Sequence, residues 1–149
     1  MGQMAVADHG TSVAPYPAQM RIEHLAIWTR DLERLRSFYE RYFGARATGR
    51  YMSANRAGFS SYFLSFPGGG SRLELMTLPT LTERLPQPTV GYAHIAVTVG
   101  SGADVEALTA KMREAGVRIV SEPRQTGDGY FESVIEDPDG NQVELTAEP

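Results

Sequence analysis

Two halves of the sequence repeat one another, and this restricts the fold more than any other feature. RIEHLAIW at residues 21–28 resembles GYAHIAVTV at 91–99, and RLELMT at 72–77 resembles QVELTA at 142–147. The spacings agree: His24 and Glu74 are 50 residues apart, as are His94 and Glu144, and each residue lies 70 positions from its counterpart. Self-similarity at a fixed offset marks a duplicated supersecondary unit. Each His segment is followed by apolar residues at steps of three and four, the helical period: Leu32, Leu35, Phe38, Tyr39 and Tyr42 in the first copy, Val105, Leu108, Met112 and Ala115 in the second. Asp31 is the expected N-cap of the first helix. Gly44 and Gly116 stand where each helix should end in a left-handed turn. Strand-like SYFLSF (61–66) and ESVIED (132–137) then close in PGGG and PDGN turns, and a last strand in each copy carries the glutamate. Each half therefore reads β-α-β-β-β. Module one spans residues 21–78, a linker with Pro79, Pro86 and Pro88 spans 79–89, and module two spans 90–147. Residues 1–20 read as a flexible tail before a single domain at 21–149. A module of roughly 60 residues is marginal alone, so the two are expected to share one core.

Composition narrows the chemistry. With no cysteine among 149 residues, a disulfide framework and a thiolate metal site are both excluded, and any metal needs nitrogen and oxygen ligands. A net charge of −4 argues against a nucleic-acid partner. No run reaches the ~20 apolar residues of a membrane span, and no basic-then-apolar leader opens the sequence. A cytoplasmic address with a small-molecule partner is the expectation.

Strand side chains alternate between faces. Ile22, His24, Ala26 and Trp28 share one face, as do Arg72, Glu74 and Met76, then Tyr92, His94, Ala96 and Thr98, and finally Gln142 and Glu144. The opposite faces carry Leu25, Ile27, Leu73, Leu75, Ile95, Val97, Val143 and Leu145, which belong against the helices. His24, Glu74, His94 and Glu144 thus project from the face away from the helices. If the sheets curl, that face lines a cup. Two imidazoles and two carboxylates there make a metal site suited to nickel, cobalt or zinc, with manganese or iron as alternatives. A lone strand histidine is more often structural than ligating; the matched spacing of all four residues favours the metal.

At these residues the chain resembles the vicinal-oxygen-chelate superfamily and, within it, the glyoxalase I (lactoylglutathione lyase) group. The resemblance runs over residues 21–147 and includes the EDPDGNQVEL run around Glu144. It implies an α+β fold of two βαβββ modules, with curled mixed sheets and helices outside, usually in a homodimer. It implies that His24, Glu74, His94 and Glu144 bind one divalent metal, often with the first pair from one subunit and the second from the other. The implied reaction isomerises a 2-oxoaldehyde–thiol hemithioacetal, such as that of methylglyoxal, through a metal-stabilised enediolate. Glu144 is the implied catalytic base and Glu74 the candidate on the other side.

Two positions depart from the pattern. Trp28 stands where glutathione-using members carry an arginine, and Leu78 where an asparagine is usual. Hydrogen bonds to charged groups are worth about 1.5–3 kcal/mol each, so these losses speak against glutathione as the thiol. Arg56, Arg72 and Arg124 are candidate substitute anchors. Trp28 is a candidate pocket wall, and Tyr62 and Tyr130 are further substrate-binding candidates whose faces the pattern leaves open. An epimerase or an extradiol dioxygenase of the same superfamily, or a non-catalytic resistance protein that binds a drug, are the alternative readings. The epimerase type typically has glutamine at the position of Glu74, the dioxygenase leaves Glu74 unused, and a purely apolar binder has no need of four ligands.

Overall fold

Both helices start and stop where local chemistry dictates. The structure, a computed structural model, describes residues 20–148; the expected tail, Met20 apart, lies outside the described residues. Helix α1 (Leu32–Phe43) is capped by Asp31, whose side chain accepts the backbone N–H of Arg34 at 2.9 Å, and ends at Gly44 in the left-handed conformation, φ 62°. Helix α2 (Gly102–Glu114) opens with a reciprocal capping box between Ser101 and Asp104. It ends at Ala115, and Gly116 takes the left-handed turn at φ 82°. Leu32, Leu35, Phe38 and Tyr39 are buried along α1. On α2 the buried set is Val105, Thr109 and Met112. Ala115, expected on that face, is exposed because the helix stops before it. Thr109 occupies the core because its hydroxyl is satisfied there, 2.6 Å from the Val105 carbonyl and 2.7 Å from the Ser133 hydroxyl.

The strands are β1 (His24–Trp28), β2 (Arg46–Ala47), β3 (Tyr51–Met52), β4 (Ser60–Ser65), β5 (Arg72–Thr77), β6 (His94–Gly100), β7 (Ile119–Gln125), β8 (Phe131–Glu136) and β9 (Gln142–Ala147). They form two mixed sheets, ordered β1-β5-β4-β2 with β3 also on β4, and β6-β9-β8-β7. The pairs β1–β5 and β6–β9 are parallel and the others antiparallel. This is the α+β architecture of paired modules expected from the repeat. One expected strand of module one is split into β2 and β3. Ala47 pairs with Leu64 and Tyr51 with Ser61, so four steps on one strand face three on the other, a bulge at residues 48–50. Pro123 sits in β7, an edge strand with irregular register, where a missing N–H is tolerated.

One hydrophobic cluster joins the modules, with Leu35, Leu64 and Leu75 from the first and Met112, Ile135, Val143 and Leu145 from the second, all fully buried. A polar latch supplements it. The buried Tyr39 hydroxyl of α1 donates to Asp137 Oδ2 at 3.1 Å, across to the β8–β9 turn of module two. Asp137 also accepts the backbone N–H groups of Asp139 and Asn141, both at 2.9 Å, and the Asn141 side-chain amide at 2.8 Å. Arg34 pairs with Asp139 at 2.7 Å beside it.

Tyr39→Phe removes one of these bonds and is expected to cost about 1 kcal/mol in urea unfolding. Burial pushes the Asp137 carboxyl above its ordinary value, against the pull of its hydrogen bonds. The folded state therefore holds this proton more tightly than the unfolded chain. Its contribution to stability is full below the ordinary aspartate value and declines as pH rises through the raised one. The cost of Asp137→Asn, measured by urea unfolding across that window, should shrink as pH increases.

Candidate metal and substrate site

The parallel pairing decides what stands beside each histidine. In β1–β5, His24 is level with Arg72 and Ala26 with Glu74; in β6–β9, His94 is level with Gln142 and Ala96 with Glu144. Each glutamate is thus diagonal to its histidine on the same open face. His24 Nε2 lies 3.8 Å from Glu74 Oε2, and His94 Nε2 lies 3.3 Å from Glu144 Oε1. The opposite faces point to the core, where Leu73, Leu75, Val143 and Leu145 are buried. The carboxylates are the more enclosed members, Glu74 at 13% and Glu144 at 18% side-chain exposure.

The two pairs differ in their surroundings. Glu23 bridges His24 and Arg72: its Oε2 is 2.5 Å from His24 Nδ1, and its Oε1 accepts Arg72 Nε at 2.8 Å. The hydrogen bonds to His24 and Arg72 hold the Glu23 carboxyl below its ordinary value. As an ionised acceptor it places the proton of neutral His24 on Nδ1 and leaves the Nε2 lone pair toward Glu74. Phe63, level with Glu74 on β4, meets the His24 ring edge-on at 5.3 Å. In module two, burial pushes the Glu144 carboxyl above its ordinary value, His94 opposes the rise, and nearby Glu132 and Asp128 add to it. Arg124 pairs with Glu132 at 3.7 Å.

A divalent ion fits this donor chemistry. An imidazole nitrogen and a carboxylate oxygen face one another at 3.8 Å, without a shared hydrogen bond, at His24 and Glu74. Two ligands with bonds of about 2.1 Å to one ion stand roughly 3–4 Å apart, as each pair does. Within one chain the four residues stand as two pairs: among the described residues no group of three or more histidines and acidic residues is arranged to hold a metal ion by itself.

The other candidates are spread over both modules. Trp28 shares the His24 face, 42% exposed, and lines with Leu78 a cavity of about 700 Å³. Arg56 lies over the Trp28 ring at 5.6 Å. Arg72 is tied to Glu23 and stacks over Phe63 at 4.3 Å. Tyr130 is exposed in the turn before β8. Tyr62 is corrected: it pairs with Leu75, so it points to the helix side, where it is buried and its hydroxyl donates to Glu33 at 2.6 Å. It does not line the His24 face. A second cavity, of about 630 Å³, opens between the modules around Leu25, Phe66, Leu73, Ile95, Val97 and Leu108. These are mainly core-facing positions, turned away from the pairs.

Sequence reasoning missed Glu23, Phe63 and Glu132. Glu23 has no counterpart in the repeat, where Ala93 stands, so the duplication concealed it.

The sequence pattern of the Glyoxalase/Bleomycin resistance protein/Dioxygenase superfamily matches residues 21–145. The chain belongs to this superfamily. No curated protein matches its sequence. Among solved structures it is similar to a glyoxylase/bleomycin resistance protein/dioxygenase domain from Frankia sp. EAN1pec, with TM-score 0.74 and 18% identity over 87% of this chain and 93% of that one. The trypanothione-dependent glyoxalase I of Leishmania major superposes with TM-score 0.70 and 27% identity over 87% of each chain. Glyoxalase I from Zea mays gives 0.69 and 24%, over 85% of this chain and 44% of that one.

In the metal-free protein at mildly alkaline pH, ring ¹⁵N shifts should place the His24 proton on Nδ1. In Glu23→Ala the proton should redistribute toward Nε2 while His94 is unchanged.

Proposed function

We propose that two copies of the chain pair so that His24 and Glu74 of one face His94 and Glu144 of the other, around one divalent cation per site. The observation that carries this reading is the duplicated His–Glu pair, set in the same register on two open faces. Apolar side chains flank both pairs on the solvent side, with Ile22 73% and Tyr92 87% exposed. Covering such surface is favourable. Nickel, cobalt or zinc is the expected ion, with manganese or iron as alternatives.

The activity proposed is a lyase or isomerase of the glyoxalase I type. The substrate carries two neighbouring oxygens, as in the hemithioacetal of a 2-oxoaldehyde and a thiol. The cation supplies Lewis-acid stabilisation of charge developing on substrate oxygen. The chain's own contribution is proton transfer. Glu144, whose proton affinity is raised by burial, removes the carbon-bound proton and returns it to the adjacent carbon, which converts hemithioacetal to thioester without net loss of atoms. Glu74 is the carboxylate on the opposite side of the bound substrate. Glu23 orients His24.

Metal analysis of the purified protein is expected to find one divalent ion per chain, lost in His24→Ala and in His94→Ala. Mixing these two inactive variants under conditions of subunit exchange should restore about a quarter of the sites, because half the dimers then carry one intact site of two. No restoration would place each site within one chain. Glu144→Gln should keep the fold and most of the metal and lower turnover at least ~10²-fold, the scale of a lost general base.

A further inference from the structure

We propose that the cavity beside β1 binds a small organic anion with a flat apolar body, its carboxylate on Arg56 and its ring against Trp28. The cavity, about 700 Å³, runs from Ala26 past Trp28 to the linker and Tyr92. That volume suits a small-molecule ligand. Its apolar surfaces include Trp28, which is 42% exposed, and Leu78.

Charge selects the ligand. The carboxylates on the cavity wall are already neutralised: Glu83 pairs with Arg30 at 2.6 Å and Asp139 with Arg34 at 2.7 Å. Arg56 has no carboxylate within ion-pair distance among the described residues, unlike Arg72, Arg113, Arg118 and Arg124. Arg84, also on the wall, donates to a neutral acceptor, Asn141 Oδ1, at 2.7 Å. Two uncompensated guanidinium groups therefore face the cavity of a chain whose net charge is −4. The Arg56 guanidinium carbon lies 5.6 Å from the Trp28 ring centre and 5.5 Å from that of Phe59. The two rings meet edge-on at 6.2 Å, so both lie on one side of the guanidinium. Its N–H edge remains available for a bidentate carboxylate. A ligand ring laid along Trp28 would bring its carboxylate to that edge.

The cavity begins at Ala26, level with Glu74 and two residues from His24 on the same face. An occupant therefore extends toward the His24–Glu74 pair. As a statement about substrate this rests on the proposed lyase reading: the thiol or the aldehyde it takes carries an aromatic acid in place of a peptide. As a statement about binding it does not depend on metal.

Trp28 is the only tryptophan in the chain, so its fluorescence reports directly on the cavity. Chelator-treated protein is titrated with phenylacetate, with acetate (anion without ring) and with benzyl alcohol (ring without anion), and calorimetry serves as a second readout. Saturable binding of phenylacetate, about tenfold tighter than either control, is expected. In Arg56→Gln, with unfolding midpoint unchanged, phenylacetate should bind no better than benzyl alcohol. Equal affinity for the three probes, no saturable binding, or an unchanged preference in Arg56→Gln would overturn the proposal. Loss of metal binding in the His24 variant alongside failure here would leave the lyase reading standing and this one refuted.

Discussion

The chemistry of this protein depends on which side of two parallel strand pairs faces the helices. Leu73 and Leu75 on β5, and Val143 and Leu145 on β9, are removed from water almost completely. Burial of each such side chain contributes about 1.5–3 kcal/mol. A slip of one residue in either strand would bury a carboxylate and expose two of these side chains. The phase of the strands is therefore held by core energetics. Glu74 and Glu144 face outward for the same reason that their neighbours face inward.

Duplication then sets two pairs in matching positions, and local residues make them unequal. His24 is held from behind by Glu23, whose carboxyl the hydrogen bonds with His24 and Arg72 hold below its ordinary value, and from the side by Phe63. His94 has Ala93 where Glu23 would be. Conversely burial, with a smaller push from Glu132, makes Glu144 hold its proton more tightly than an ordinary glutamate. One module thus carries an imidazole oriented by a neighbouring carboxylate, and the other a glutamate whose proton affinity is raised by burial. In the proposed site, built from both, orientation and proton transfer are assigned to different modules.

The modules are held by different means at different depths. The shared apolar cluster is non-directional and tolerates small shifts. The contact between Tyr39 and Asp137 is directional, because a buried carboxylate without its donors is costly. It joins a helix of module one to the β8–β9 turn of module two, which leads into the strand bearing Glu144. The relative placement of the two open faces within one chain depends partly on this buried contact, whose turn runs into Gln142, the strand partner of His94.

Most of the fold was legible because its signals are periodic. Helical steps at Leu32, Leu35, Phe38 and Tyr39, alternation through Leu73, Glu74 and Leu75, and cap residues at Asp31, Gly44 and Gly116 all have local causes. The failures lie where periodicity ends or no longer applies. Ala115 falls beyond the last helical turn, the bulge at residues 48–50 splits a strand, and Tyr62 faces the core because its place in β4 is set by pairing with Leu75. By itself the sequence determined the duplicated modules, the strand phase, and the four residues that share the open faces, since each follows from burial at a fixed period. Only the tertiary structure decided that His24 meets Glu23 and Arg72, that Tyr39 reaches Asp137, that Trp28, Arg56 and Leu78 gather at one cavity, and that one chain presents two pairs. Those contacts depend on register and packing between residues distant in the chain, and no local period encodes them.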